Sequence, residues 1–192
     1  MNIIVKPYGS DLCYCRPDTT WERENRDFYS PECVNAWNWT PILFARISKA
    51  GKCISPKFAS RYYDSLNFGA LLYIGGTDTA SGSCADHTSL LPLPLFNPTV
   101  METEGNMLQI MKNEDIVFST ETPCAGGISQ KTLLEAAEDA ICKASQLTSL
   151  RIGDYVAIEL AAAAVLAEKS EGSLRFKANF CENEIFNFKI IF

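Results

Sequence analysis

The sequence predicts an α+β fold that is rich in β-strands and carries two main helices, at about residues 55–66 and 129–147. Short apolar runs bounded by turn residues recur along the chain and indicate strands. Two stretches place apolar residues at helical spacing and indicate the helices. The length of 192 residues suits one domain, residues 1–192, with a substantial buried core.

The first half of the chain predicts short strands interrupted by one helix. Four turn-forming residues divide the first forty positions: Pro7, Gly9, Pro17 and Pro31. Residues 42–48 then form an apolar run typical of a buried strand, and residues 68–74 form a second one. Between them, Ser55 and Pro56 suit the start of a helix. Its apolar stripe repeats every four residues, at Phe58, Tyr62 and Leu66.

The second half predicts a long loop, a hairpin, a helix and three strands. Residues 75–89 are rich in Gly, Ser, Thr and Asp and indicate the loop, and Pro92 and Pro94 then exclude a central strand. A hairpin is expected around Asn113 and Glu114. Ser129 is the expected N-cap of the second helix. Strands are expected at 153–160, 174–180 and 185–191, with a hairpin-like turn at 181–184 between the last two.

Composition and charge exclude several classes of protein. The net charge is −6 and no basic stripe is present, so we expect no nucleic-acid partner. The longest run of small apolar residues, 160–167, is far shorter than the about 20 residues of a membrane span, and we expect no membrane partner. The N-terminus does not resemble a secretory signal, so we expect a cytoplasmic protein.

The eight cysteines are scattered along the chain and form no C-x-x-C pair. With a single histidine, His87, they do not predict a structural zinc site. We expect all eight to be free thiols in a reducing compartment, mostly as small packing residues.

Three segments, in order along the chain, resemble the fumarylacetoacetate hydrolase family. The central one runs from Arg46 to Asp64 and contains Gly51-Lys52-x-Ile54 followed by Ala59-x-Arg61-Tyr62-Tyr63-Asp64. Arg16-Pro17-Asp18 is similar to a Lys-Pro-Asp or Lys-Pro-Ser turn of the family. The stretch 149–154 is similar to its Thr-Leu-x-x-Gly-Asp element. The central segment is the most specific of the three.

The resemblance implies a fold of layered, rolled-up sheets that often assembles as a homodimer. It also implies cleavage, decarboxylation or isomerisation of keto acids with Mg²⁺ or Ca²⁺, because a hard cation bound by oxygen ligands polarises the keto-enolate. In the family, two ligands form a Glu-x-Glu pair on the strand before the Gly-Lys segment. A third, an aspartate, follows the Tyr-Tyr-Asp segment.

The positions of these metal ligands are altered in this chain. Counting along the resemblance places Thr40 and Ile42 at the Glu-x-Glu pair and Leu71 at the aspartate. A threonine, an isoleucine and a leucine cannot hold a divalent cation. The family's acid–base histidine and its partner glutamate also have no counterpart, since residues 8–15 contain no histidine. The sequence therefore predicts that the metal cofactor, Mg²⁺ or Ca²⁺, has been lost.

Each of the other candidate sites also has an ordinary structural explanation. Cys84, Asp86 and His87 form Cys-x-Asp-His on the long loop, a candidate nucleophile and base, although such local clusters rarely have catalytic geometry. Arg16 and Arg61 are candidate ligands for a small anion. Solvated loop carboxylates are favoured over metal sites for three Glu-x-Glu pairs: Glu22/Glu24, Glu102/Glu104 and Glu182/Glu184. Core packing is favoured over a binding pocket for Trp21, Trp37 and Trp39. A plain loop is favoured over an anion site at Gly126-Gly127.

The sequence leaves three hypotheses open. The leading one is a non-catalytic relative of the family that binds a small keto acid or acts as a partner subunit. The alternative is an enzyme acting on keto acids with Cys84, Asp86 or His87 in place of the metal. The third is a purely structural dimer.

Overall fold

In this computed structural model, residues 1–124 and 131–192 are described, apart from the side chains of Thr79 and Ala80. This part of the chain is built around two mixed β-sheets. The first sheet is curled and has eight strands. Seven form its path in this order: β2 (Tyr14–Arg16), β1 (Ile3–Lys6), β10 (Tyr155–Glu159), β5 (Ala36–Ile47), β6 (Tyr63–Ile74), β7 (Ser89–Leu90) and β3 (Trp21–Glu22). The eighth, β11 (Ala164–Glu168), pairs with β5. The predicted strand-rich α+β class is confirmed.

The second sheet is built from the hairpins predicted for the middle and the end of the chain. Its order is β4 (Phe28–Tyr29), β13 (Asn183–Ile191), β12 (Ser173–Phe180), β8 (Met107–Lys112) and β9 (Asp115–Glu121). Cys181 and Glu182 turn the last hairpin with positive φ angles of 49° and 63°. Both predicted hairpins are therefore confirmed, with strand boundaries shifted by one to three residues.

The helix predicted at residues 55–66 is wrong in type and in length. Pro56–Arg61 forms a short 3-10 helix, and the chain enters strand β6 at Tyr63. Ser55 is extended and Pro56 occupies the first helical position, so the predicted start is correct. Leu66, which we assigned to the helical stripe, instead begins an alternating strand pattern that buries Leu66, Phe68 and Ala70 on one side.

The second predicted helix is shorter than residues 129–147. Helix α3 spans Leu133–Leu147, and Thr132 is its N-cap in a capping box with Glu135. The predicted N-cap Ser129 and the Gly126-Gly127 loop lie outside the described residues. Two short helices, α1 (Thr79–Gly82) and α2 (Pro98–Glu102), complete the described elements, together with one-turn 3-10 segments at Asp18–Thr20 and Lys169–Glu171. None of the described helices is long and apolar enough to cross a membrane.

Strands β5 and β6 divide the interior into two faces. Odd-numbered residues of β5, such as Leu43 and Ala45, pack into the main core with α3 and the second sheet. Even-numbered residues, such as Ile42 and Phe44, point to the opposite side. We call this second side the inner face; its buried cluster consists of Ile3, Val5, Ile42, Phe44, Leu71, Tyr73, Leu91, Tyr155 and Ala157.

Three residues of the sequence motifs have clear structural roles in these sheets. Arg46 pairs with Asp64 across β5 and β6, with Nη2 3.0 Å from Oδ2. Asp154 is buried and accepts hydrogen bonds from the backbone N–H groups of Asn2, at 2.7 Å, and Arg151, at 2.8 Å. The Gly-Asp element therefore joins the start of β10 to the N-terminal strand.

Candidate functional site

The inner face brings together the three positions at which the resemblance places metal ligands. Thr40 and Leu71 are directly opposite each other in the β5–β6 ladder, and Ile42 follows Thr40 on the same side. All three are fully buried, at 0% exposure. The counting along the sequence therefore selected positions that share one face of the sheet.

Neighbouring groups occupy the space around these three side chains. The Thr40 hydroxyl donates a hydrogen bond to the carbonyl oxygen of Ala161, 2.7 Å away. Ile42 and Leu71 belong to the apolar cluster of the inner face. Gly69 lies opposite Ile42, where a Cβ would come within 2.1 Å of the Leu90 carbonyl oxygen, so the next strand packs directly against the backbone here. These residues present no carboxylate to a cation.

Arg16 lies on β2 and is the most deeply buried charged residue beside the inner face, at 2% exposure. Its Nη2 donates to the Leu72 carbonyl oxygen at 2.9 Å and to Thr88 Oγ1 at 2.7 Å. Its guanidinium lies over the Tyr73 ring, 5.0 Å from the centroid. Nε and Nη1 are buried and have no hydrogen-bond partner among the described residues.

A buried hydrogen-bonded chain leads from Tyr73 to Glu159. The hydroxyls of Tyr14 and Tyr73 are 2.7 Å apart, and Tyr73 donates to Glu159 Oε1. Glu159 Oε2 accepts from the Tyr8 backbone N–H at 2.8 Å. Burial, together with the nearby Tyr14 and Glu159, raises the pKa of Tyr73 above its ordinary value. Both tyrosines therefore remain neutral hydrogen-bonding groups at physiological pH.

An open cleft lies between strands β3, β4 and β7. It consists of two adjoining cavities of about 430 and 520 Å³ that share Glu22, Arg26, Asp86 and His87. Trp21 lines the second cavity and also packs against the inner-face cluster. Trp37 and Trp39 are core residues, as predicted, whereas Trp21 is only partly buried and forms a wall of the cleft.

The structure brings together only two of the three residues proposed as a substitute for the metal. Asp86 and His87 line the cleft, but the exposed Cys84 does not line either cavity. His87 is instead paired with Glu22, with Nδ1 2.9 Å from Oε2. Its side chain is 62% exposed and that of Glu22 only 12%. A histidine–carboxylate pair thus stands at the mouth of the cleft.

Arg61 is separate from both the inner face and the cleft. It is exposed on the 3-10 helix, with its guanidinium 5.1 Å from the centroid of the Phe58 ring. It lines neither cavity of the cleft. Within residues 1–124 and 131–192, no three His, Cys, Asp or Glu side chains are grouped closely enough to hold a metal ion.

Sequence reasoning missed the partners Glu22, Tyr73 and Glu159. Glu22 was assigned to a solvated Glu-x-Glu pair, but β3 pairs in parallel with β7, and this brings Glu22 beside His87. Glu159 pairs with Ile42 across β5 and β10, and only knowledge of this register would identify it as a neighbour of the site. A glutamate in an otherwise apolar strand was the available signal.

The comparisons show the fold. The chain superimposes on maleylpyruvate hydrolase from Sphingobium sp. SYK-6 with a TM-score of 0.76 and 13% identity, covering 99% of this chain and 70% of that one. A putative fumarylacetoacetate hydrolase family protein from Yersinia pestis CO92 gives 0.75 and 12%, covering 99% and 92%. Fumarylpyruvate hydrolase from Pseudomonas aeruginosa, in complex with Mn²⁺ and pyruvate, gives 0.73 and 11%, covering 100% and 88%. No family model and no curated protein matches the sequence. The resemblance read from the sequence motifs is thus confirmed at the level of the fold.

Proposed function

We propose that this protein is a non-catalytic relative of the fumarylacetoacetate hydrolase family. It shares its fold with keto-acid hydrolases but has lost metal-dependent chemistry. The observation that supports this is the burial of Thr40, Ile42 and Leu71 together on the inner face. Mg²⁺, Ca²⁺ and Mn²⁺ require several oxygen ligands, and carboxylates supply most of them. One missing carboxylate could be replaced by water, but replacing all three by these side chains removes the Lewis acid.

Metal titration and a cleavage assay test this proposal directly. The protein is titrated calorimetrically with Mg²⁺, Ca²⁺ and Mn²⁺, and cleavage of fumarylpyruvate and maleylpyruvate is followed by their ultraviolet absorbance. The Pseudomonas aeruginosa fumarylpyruvate hydrolase serves as the positive control. We expect neither saturable heat nor turnover above the rate without protein. Tight metal binding together with turnover would refute the proposal.

In place of catalysis, we propose that the inner face binds a small anion at Arg16. The unpaired Nε and Nη1 groups support this, because each buried donor without a partner costs about 1–3 kcal/mol and a carboxylate would satisfy it. Thermal unfolding with and without pyruvate tests the idea. We expect stabilisation that is lost in Arg16→Met and kept in Arg61→Met, since Arg61 is exposed and remote from the cleft. An equal response in both variants would contradict the assignment.

A homodimer in the cytoplasm that acts as a partner subunit is also part of this proposal, by analogy with the family. Sedimentation at micromolar concentration checks it, and a monomer as the sole species would exclude the dimer.

A second candidate function is metal-independent catalysis at the cleft. The His87–Glu22 pair favours it, because a carboxylate that holds Nδ1 orients the other imidazole nitrogen as a proton acceptor. Turnover of a keto acid in the presence of a chelator, and its loss in His87→Asn, would support this function. Unchanged turnover in His87→Asn would exclude this residue as the base.

A further inference from the structure

The cleft carries an excess of negative charge, whereas the fold would suggest a site for an anion. In its first cavity, three carboxylates, those of Glu22, Asp27 and Asp86, face a single guanidinium, that of Arg26. Arg26 is itself ion-paired with Glu24. In the second cavity, Arg23 lies over the Trp21 ring, 4.9 Å from its centroid. The cleft is therefore negatively charged, and an anion entering it would be repelled.

The same cleft has a continuous apolar wall. Phe28, Tyr29, Leu90 and Phe188 line the first cavity, and Tyr29 is 72% exposed. A concave site with apolar walls and a few polar groups at one side is typical of small-molecule binding. The volume of about 430 Å³ lies within the ordinary range for such sites.

The arrangement of the polar groups selects the kind of cation. Among the described residues, these carboxylates are not grouped tightly enough to hold a metal ion. Asp27 Oδ1 also accepts a hydrogen bond from the Lys189 backbone N–H at 2.9 Å, and Glu22 is held by His87. Spaced carboxylates beside an aromatic wall suit a ligand with an ammonium group on an apolar body. The ammonium is attracted by the carboxylates and by the ring faces, and the apolar body packs against the wall.

We propose that this cleft binds a small organic cation, a primary amine with an aromatic or alkyl body. Asp86, His87 and Glu22 form its polar side, and Tyr29 and Phe188 form its apolar wall. This site is separate from Arg16 on the inner face, and the inference does not rest on the proposed loss of the metal site.

Three probes of one shape and different charge test the inference. Benzylamine is the cation, benzyl alcohol the neutral control and benzoate the anionic control. Because His87 is the single histidine of the chain, its ring signals in proton NMR report on the cleft without assignment of other residues. Ligands of this size bind in about the millimolar range, so titration extends to about 20 mM.

We expect a saturable shift of the His87 signals with benzylamine, at least about tenfold tighter than with benzyl alcohol, and none with benzoate. Raising the salt concentration should weaken benzylamine binding and leave benzyl alcohol unaffected. Asp86→Asn should weaken benzylamine several-fold, whereas the exposed Glu104→Gln, outside the cleft, should not. Tyr29→Ser should weaken benzylamine and benzyl alcohol alike.

Three results would overturn the inference: no saturable shift with benzylamine, equal affinity for benzylamine and benzoate, or unchanged affinity in Asp86→Asn. Asp86 and Tyr29 are exposed, so these variants are expected to fold. Tight divalent-metal binding together with turnover in the separate assays would refute the proposed function and leave this inference untouched.

Discussion

Leu71→Asp is the sharpest perturbation of the inner face, because it introduces the residue type that the sequence resemblance implies for a metal ligand at this position. Leu71 is fully buried and lies opposite Thr40, beside an apolar cluster that contains Ile42 and Tyr73. If the site can no longer bind a metal, the new carboxylate is an unpaired buried charge. If the site can still bind a metal, the carboxylate will act as a ligand and recruit a divalent cation.

The loss of folding free energy that Leu71→Asp causes can be divided into its contributions with two matched variants. Leu71→Ala removes apolar volume and should cost about 2–5 kcal/mol. Leu71→Asn has nearly the shape of aspartate and adds an unsatisfied polar group, for a further cost of about 1–3 kcal/mol. Leu71→Asp adds the charge, whose burial costs several kcal/mol more. A total near the stability of a typical domain means that this variant will be largely unfolded at neutral pH.

The assay is urea unfolding of the asparagine and aspartate variants as a function of pH, with and without Mn²⁺. Burial raises the pKa of the new carboxyl in the folded state above its unfolded value of about 3.9. Its neutral form is therefore favoured by folding, and the difference between the two variants should be small near pH 4. The difference should grow as pH rises above about 3.9, where the unfolded state loses its proton, and level off once the pH exceeds the raised pKa. A Leu71→Asp protein as stable as Leu71→Asn at neutral pH, or one stabilised by Mn²⁺, would refute the reasoning.

Three further predictions concern the groups around the site and the helix behind it. Tyr73→Phe removes the hydroxyl donor of buried Glu159 and should lower the free energy of unfolding by about 1–3 kcal/mol, measured by urea titration. Burial raises the pKa of Tyr73, so the stability that depends on its neutral form is present below about pH 10 and falls above it, by about 1.4 kcal/mol per pH unit. Tyr73→Phe should reduce that alkaline slope, and an unchanged slope would assign it to other groups. Thr132→Ala breaks the capping box of α3 and should cost about 1 kcal/mol, whereas a loss below about 0.3 kcal/mol would show that the cap is not needed.

The sequence predicted the strands at 42–48 and 68–74, which lie almost wholly within β5 and β6, because a run of apolar residues is local information. It failed at residues 55–66 because Phe58, Tyr62 and Leu66 fit a helical stripe as well as they fit a turn followed by a strand. The tertiary context decides between them: the Leu66 backbone exchanges hydrogen bonds with Phe96, at 2.9 Å and 2.7 Å, and is drawn into the sheet. No local pattern contains that pairing.

That Thr40 and Ile42 share one face of the sheet could be predicted from the sequence, but the polar groups of the cleft could not. Thr40 and Ile42 are fixed by counting along one continuous strand, and an error of one residue would have placed them on the other face. Glu22 and His87 lie side by side only because β3 and β7, which are far apart in the sequence, pair in parallel. Such pairing depends on packing over the whole sheet. The local Cys-x-Asp-His pattern therefore could not identify Glu22 as the partner of His87.

The inner face and the cleft can be told apart by the sign of the charge that each attracts. Arg16 is a buried guanidinium with two nitrogens that have no partner among the described residues, whereas the cleft carries an excess of carboxylates. Arg16 lines neither cavity of the cleft. Salt should weaken amine binding in the open cleft more than anion binding at Arg16, because exposed charges are screened more strongly than buried ones. Asp86→Asn should accordingly weaken benzylamine binding and leave the response to pyruvate unchanged, and an equal effect on both ligands would show that they share one site.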